Sequence, residues 1–349
     1  MAYTSIDDPS AHFQTATWSG SGATQSITFD GNSDMQPDWV WSKPRGIAFN
    51  HTVQDSSRGV GASGPSLPPN LNNAEFVPGD YVMSLDSDGF SVGAGDAGFN
   101  ASNDTYVSWC WKSNGGTTST NTDGDINSTV QVNSDAGFSI VTYSPSNNTA
   151  RSIGHGLGVT PQVVLTRARN RIENWRMFHS GAGSTGSLTL DNDSAYNSNT
   201  VLHTGVTSTT FGVGTDFSVN GAYNYISYVF AEKQGFSKFG KYTGNGSSNG
   251  TFVYTGFKPA FLLYKKTGSG DGWFMFDAGR NPFNKSTNQT LRADESGAES
   301  ASKVVDFFSN GFKLMNNDGA HNGSGNTYIY MAFAEQPFVT STGIPTTAR

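Results

Sequence analysis

Seven side chains recur at fixed distances from three prolines and carry the chemistry a ligand site needs. Trp175 and Trp273 stand fourteen residues after Pro161 and Pro259, where the count from Pro37 gives His51. Four residues further on come Asp55, His179 and Asp277; Arg58 and Arg280 follow the two aspartates, where the middle copy holds Ala182. Indole faces stack on the apolar faces of sugar rings, and carboxylate, imidazole and guanidinium groups orient hydroxyls. Trp175, His179, Trp273, Asp277, Arg280, Asp55 and Arg58 are therefore the candidate ligand contacts. The competing reading of the tryptophans is core packing, since large aromatics repeated at one position commonly face an interior. The competing reading of His179 and the aspartates is a hydrogen bond between loops.

Catalytic chemistry has thinner support. A sandwich hydrolase would carry two carboxylates close together over one cleft. Asp86-Ser-Asp88-Gly89 is the nearest match, but its counterparts in the last copy are Phe308 and Asn310, and the run reads as a turn. Asp294, Glu295 and Glu299 lie in a Gly/Ser-containing stretch that reads as a solvated face. The six histidines, His12, His51, His155, His179, His203 and His321, show no spacing for zinc. His155, in Gly-His-Gly-Leu-Gly, lacks the Gly-Lys-Ser/Thr ending of a phosphate loop. Asp123-Gly-Asp125-Ile-Asn127 offers oxygen ligands to calcium but matches an EF-hand loop only in part. Cys110 is the single cysteine, which excludes an intrachain disulfide and fits a small buried side chain. These residues predict no enzyme, no cofactor and no metal.

The prolines belong to a larger repeat. Each precedes an apolar strand: Pro37-Asp-Trp-Val-Trp, Pro161-Gln-Val-Val-Leu and Pro259-Ala-Phe-Leu-Leu. Each unit closes on Tyr106-Val-Ser-Trp-Cys-Trp, Tyr225-Ile-Ser-Tyr-Val-Phe or Tyr328-Ile-Tyr-Met-Ala-Phe, at 69, 64 and 69 residues from its proline. Between them Leu67, Leu188 and Leu291 are each followed seven residues later by Ala74, Ala195 and Ala298. Phe90, Phe211 and Phe312 align, two of them after Asp88-Gly89 and Asn310-Gly311. A leading strand opens each copy at Phe13 to Trp18, Phe138 to Tyr143 and Phe236 to Tyr242.

This pattern predicts an all-β chain of three tandem related β-sandwich units of jelly-roll or concanavalin-like type. The first unit occupies 1–113, the second 138–235 and the third 236–338. The Ser/Thr/Asn/Gly-rich stretch 114–137 reads as a polar linker, and 339–349 as a polar tail. In the closing strands period-two alternation puts Val107, Trp109 and Trp111 on one face, and likewise Ile226, Tyr228 and Phe230, and Ile329, Met331 and Phe333. That bulky face is predicted to be core. The stretch 299–308 reads as a short helical turn.

Composition narrows the partners. Only 14% of residues are charged, but 13% are aromatic, enough to bury area against chain entropy. The net charge of −7 and the lack of a basic cluster speak against nucleic acid. No apolar run approaches the ~20 residues of a membrane helix, and the start Met-Ala-Tyr-Thr-Ser-Ile-Asp-Asp-Pro has no signal-peptide character. Synthesis in a cytoplasm is expected.

Several runs carry a family likeness: Asp7-Asp-Pro-Ser-Ala-His-Phe-Gln14, Gly31-Asn-Ser-Asp-Met-Gln-Pro-Asp-Trp39, Ser237-Lys-Phe-Gly-Lys-Tyr-Thr-Gly-Asn-Gly246, Phe252-Val-Tyr-Thr-Gly-Phe-Lys-Pro-Ala260 and Tyr328-Ile-Tyr-Met-Ala-Phe-Ala-Glu335. The chain resembles, over almost its whole length, repeated β-rich proteins of marine tailed bacteriophages described as tail-fibre, adhesin-like or virion structural proteins. The resemblance implies a virion component with a lectin-like sandwich fold, and it carries over no catalytic residue. Within a particle, the repeated aromatic-rich β units and the Asp, Arg and Trp residues at matching positions point to a tail fibre or adhesin that binds host surface glycan, or alternatively to a capsid decoration or other purely structural component; a glycan depolymerase is the third reading. The expected partners are other virion proteins, a host cell-surface glycan and further copies of the chain, as in a trimer.

Overall fold

The computed structural model describes residues 3–95, 98–268, 270–282, 284–302 and 304–346. Among them every regular element is a strand, apart from one 3-10 turn at Pro9–Ala11. The chain is all-β, built of antiparallel sheets that pack as sandwiches.

Three large sheets share one strand order: leading, closing, proline strand, then the strand that carries the Asp or His. In the first sheet these are Phe13–Ser19, Thr105–Trp111, Trp39–Pro44 and Thr52–Asp55. In the second they are Phe138–Tyr143, Tyr225–Phe230, Val163–Ala168 and Arg176–His179. In the third they are Ser237–Thr243, Thr327–Pro337, Phe257–Lys266 and Phe274–Asp277. Each is accompanied by a three-stranded sheet, whose central strands, Gly89–Val92, Thr210–Val213 and Gly311–Leu314, carry Phe90, Phe211 and Phe312. Pro37 and Pro161 precede their strands. Pro259 lies inside Phe257–Lys266, and the register shifts on both sides of it, a local break that fits its missing N–H.

Two expectations are corrected. Residues 114–137 are not a linker: Ser128–Asn133 pairs with the edge of the leading strand Phe138–Tyr143, and Ser119–Asn121 pairs with Ser128–Asn133. The segment is tied down at its start, where the Asp38 carboxylate accepts from the N–H groups of Ser113, Gly115 and Gly116 and from the Ser56 hydroxyl. Nor is 299–308 helical. Ser300–Ser302 and Val305–Phe308 are strands, and Asn310-Gly311 leads into the hairpin partner Gly311–Leu314. Lys303 lies outside the described residues. Asp86 to Gly89 is a hairpin turn, as its residue types demand. Of the tail, residues 347–349 lie outside the described residues, and Ser341 donates through its N–H and hydroxyl to Asp7 near the other end of the chain.

The core sits between the large sheets as well as within each sandwich. The bulky faces of all three closing strands belong to one apolar cluster that also holds Trp39, Trp41, Leu165, Phe261 and Leu263 from the proline strands. Trp111, Phe230 and Phe333, at matching positions, meet as a triangle with ring centroids 6.4, 5.4 and 5.7 Å apart. Phe138 stacks on Phe230 at 4.8 Å, and Trp39 stacks on Tyr228 at 4.4 Å. The opposite faces are buried too. Tyr225 and Val229 fill the second sandwich, and Cys110 the first. The bulky face is thus core, but the core it forms is shared by the three sheets.

Phe230→Ala should cost about 3–5 kcal/mol, because it empties one corner of the triangle. The loss should appear in denaturant or calorimetric melting as a single earlier transition of the whole chain. A separate early transition of residues 138–235 alone would show that the shared core does not couple the units.

Candidate functional site

None of the seven candidate contacts faces solvent. Trp175, His179, Trp273, Asp55, Asp277 and Arg280 are buried, and so is the side chain of Arg58. All seven lie where one unit meets the next, and their partners form a cyclic set.

The first position of the set is the ring fourteen residues after each proline. Trp175 Nε1 donates to the Pro68 carbonyl of the first unit at 3.0 Å, and Trp273 Nε1 to the Thr189 carbonyl of the second at 2.8 Å. His51 completes the round with Nε2 2.9 Å from the Arg292 carbonyl of the third, while its Nδ1 accepts from Trp41 Nε1. Pro68, Thr189 and Arg292 each directly follow one of the aligned leucines. The ring is held from its own unit as well, since Asn70, Asp191 and Asp294 accept the backbone N–H of His51, Trp175 and Trp273. Asp294 is therefore buried machinery, not part of a solvated face. Glu299 is also mostly buried, against Arg45 and Arg280, and only Glu295 keeps a half-exposed side chain.

The second position faces the closing strand of the next unit. Asp55 Oδ2 accepts from the Tyr228 hydroxyl at 2.7 Å and from Arg58 Nε at 2.6 Å. Asp277 Oδ2 accepts from Trp109 Nε1 at 3.0 Å and from Arg280 Nε at 2.6 Å. The third counterpart on the closing strands is Met331, whose side chain has no N–H or O–H. Opposite it stands His179, with Nε2 3.0 Å from the Tyr330 carbonyl and Nδ1 accepting from Gly181 N–H. The chemistry matches at each junction. Where the facing side chain brings a donor, the site holds a carboxylate with a buried arginine to neutralise it. Where it brings none, the site holds a neutral imidazole that donates to the backbone, and no arginine is needed beside Ala182.

A third layer closes the rim. Glu75 pairs with Arg169 at 2.9 Å and Glu299 with Arg45 at 2.8 Å. At the remaining junction Tyr196 N–H donates to the Thr267 carbonyl, and the matching backbone bonds run from Glu75 to Arg169 and from Glu299 to Arg45.

Sequence reasoning missed three cations. Lys43, Arg167 and Lys265, six residues after each proline, are fully buried. Burial draws the two ammonium groups down to about 8 and the guanidinium to about 10. Arg167 and Lys265 lie over the Trp175 and Trp273 rings at 5.8 and 5.9 Å. Their register was legible as a charge breaking an apolar strand at the same place three times.

The other candidates stay apart. Asp125 accepts from Ser152 N–H and hydroxyl, and Asp123 from Asn121, so the acidic run at 123–127 serves as loop capping. Among the described residues no three His, Cys, Asp or Glu side chains converge as a metal-binding group. His155 Nδ1 accepts from Leu157 N–H within its own turn.

With this geometry in view, one comparison is informative. The chain belongs to the DUF7483 family, a domain of unknown function, whose model matches residues 8–337. That single match runs across all three large sheets and the segment 114–137. No curated protein and no solved structure matches the chain significantly.

Two outcomes are expected. Tyr228→Phe leaves Asp55 short of a buried donor and should lower stability by about 1.5–3 kcal/mol in denaturant unfolding, whereas loss of Trp175 to Ala should cost about 3–5 kcal/mol. The second outcome concerns pH. Burial holds all six histidines below their ordinary value, His179 and His321 at about 4 and His203 at about 3. The unfolded chain then binds more protons, so stability is complete above pH 6.5 and is lost as the pH falls towards the folded values. Each of these histidines should remove up to about 1.4 kcal/mol per pH unit in that window, and His179→Gln should flatten the dependence measured between pH 7 and 4.5.

Proposed function

We propose that the chain is a structural component of a tailed-phage particle, acting as a rigid three-unit block. The observation that carries this reading is the fate of the seven polar and aromatic residues. Each is spent on locking one unit to the next, so the groups that would have recognised glycan instead fix the relative orientation of three sandwiches. A rigid block with buried cross-connections suits a decoration protein, a collar or a shaft element. The phage setting rests on the family likeness of the motifs quoted above.

The adhesin reading moves to a different surface. Phe217 is exposed beside Tyr223, with Arg171 over both rings at 5.0 and 4.8 Å, and Ile172 protrudes next to them. An aromatic patch of this kind can meet a sugar ring. No catalytic step is proposed, since none of the carboxylates described above forms a pair open to a cleft.

Antibody-gold labelling of intact particles tests the proposal. Label on heads, collars or shafts, with no binding of the purified chain to host cells, is the expected result. Label confined to the distal tail, together with cell binding that Phe217→Ala abolishes, would replace it with the adhesin.

A further inference from the structure

The junction between units contains the same groove three times, in three states. At the junction of the first and second units it is filled. Ser128–Asn133 lies antiparallel along the outer edge of Phe138–Tyr143, with Val130 in the apolar interior of the second sandwich. Further along the segment, Ile126 bridges to Ile153 on the edge of the small sheet, and Ser128 donates to the Gly154 carbonyl. The far wall belongs to the first unit, where Ser56 and Ser57 hold Gln131, and Asp38 holds the start of the segment. At the junction of the second and third units the groove is pinched where Gly181 approaches the leading strand. A Cβ on Gly181 would lie 3.1 Å from the Gly240 carbonyl of the leading strand.

At the junction of the third and first units the groove is open. It has a volume of about 660 Å³ and runs along Phe13–Ser19 between that strand, Gln25–Ile27 of the small sheet and a wall from the third unit. The wall includes Ala260, Ala278 and Gly279, which stand one, nineteen and twenty residues after Pro259, as Asp38, Ser56 and Ser57 stand after Pro37. The small wall residues leave room that polar side chains take up at the filled junction. Among the described residues no strand pairs with the outer edge of Phe13–Ser19. Two buried polar atoms of groove residues, Thr15 Oγ1 and Glu335 Oε2, have no hydrogen-bond partner.

We infer that this groove accepts an extended strand from another polypeptide, which adds antiparallel to Phe13–Ser19 as Ser128–Asn133 adds to Phe138–Tyr143. The occupied groove specifies the chemistry. Both leading strands are read from the register of their closing strands, in which Phe13 faces Trp111 and Phe138 faces Phe230. Ala16 then corresponds to Val141, which pairs with Val130, and Thr15 to Ile140, which pairs with Gln131. The incoming strand therefore carries an apolar residue opposite Ala16, larger than valine because alanine leaves more space. Opposite Thr15 it carries a residue that lies against Ala278 and Gly279, with a donor within reach of Glu335. Main-chain hydrogen bonds supply the affinity and these two positions the specificity.

The probe is a fluorescent synthetic peptide of residues 119–133, the segment that already fits the equivalent groove, titrated into the full chain by anisotropy with amide exchange read in parallel. The expected result is saturable 1:1 binding that protects amides of Phe13–Ser19, is lost when alternate peptide nitrogens are methylated, tightens when the peptide's valine at position 130 becomes leucine, and weakens about tenfold or more in Ala278→Trp. No saturable binding at millimolar peptide overturns the inference. So does binding indifferent to N-methylation, or a change of exchange confined to Phe138–Tyr143, which would mean replacement of the chain's own segment. If Ala278→Trp does not fold, the methylated peptide and the exchange map decide. None of these readouts depends on where in a particle the chain resides.

Discussion

A strand with bulky side chains on one face and tyrosines on the other has no side to offer to water. The three closing strands are of this kind, and each occupies the middle of its large sheet. One face finds its cover in the small sheet of the same sandwich. The other finds it only in the neighbouring units, where Trp111, Phe230 and Phe333 meet as a triangle. This shared contact sets the arrangement of everything around it. Three large sheets brought together through equivalent faces must present equivalent edges and loop ends to one another, which is why the junctions repeat in a cycle.

The cycle imposes a second demand. Groups carried into a junction lose water, so every donor needs an acceptor across the boundary. The resulting pairs vary together. Asp55 with Arg58 faces the hydroxyl of Tyr228, Asp277 with Arg280 faces the indole of Trp109, and His179 faces a backbone carbonyl beside Met331. A carboxylate at the His179 position would be an unpaired buried charge. An imidazole at the Asp277 position would leave the indole N–H dependent on the right tautomer. The pattern that looks from the sequence like a scatter of potential ligand contacts is a set of matched locks. These locks tie the three sandwiches to one another and hold His51 and His179 buried and neutral.

The three junctions differ at their outer margin. Equivalent grooves are filled, pinched or open according to what the chain itself supplies. The segment 114–137 has the composition of a linker, yet Asp38, which accepts from Gly115 and Gly116, and Ser56 and Ser57, which accept from Gln131, bind it into the first of these grooves. A polar, flexible-looking sequence can add a strand because edge pairing draws on main-chain groups, which composition does not report.

The sequence by itself determined the all-β class, the recurring strands, the turns at Asp88-Gly89 and Asn310-Gly311, and the apolar faces of the closing strands. These follow from period-two alternation, residue type and spacing, which act over a few residues. It also placed the seven polar and aromatic residues at matching positions. Whether those residues face a ligand or a neighbouring unit was decided by tertiary structure alone. A buried tryptophan that donates to a carbonyl about a hundred residues away and an exposed one that stacks on a sugar carry the same local signature. The same holds for Arg167 and Lys265, which donate to the Asn73 and Asp193 carbonyls of other units, and for 114–137, whose strand character exists only against the edge that receives it. Contacts between units are set by the packing of whole faces, and no short window of sequence contains both sides of such a contact.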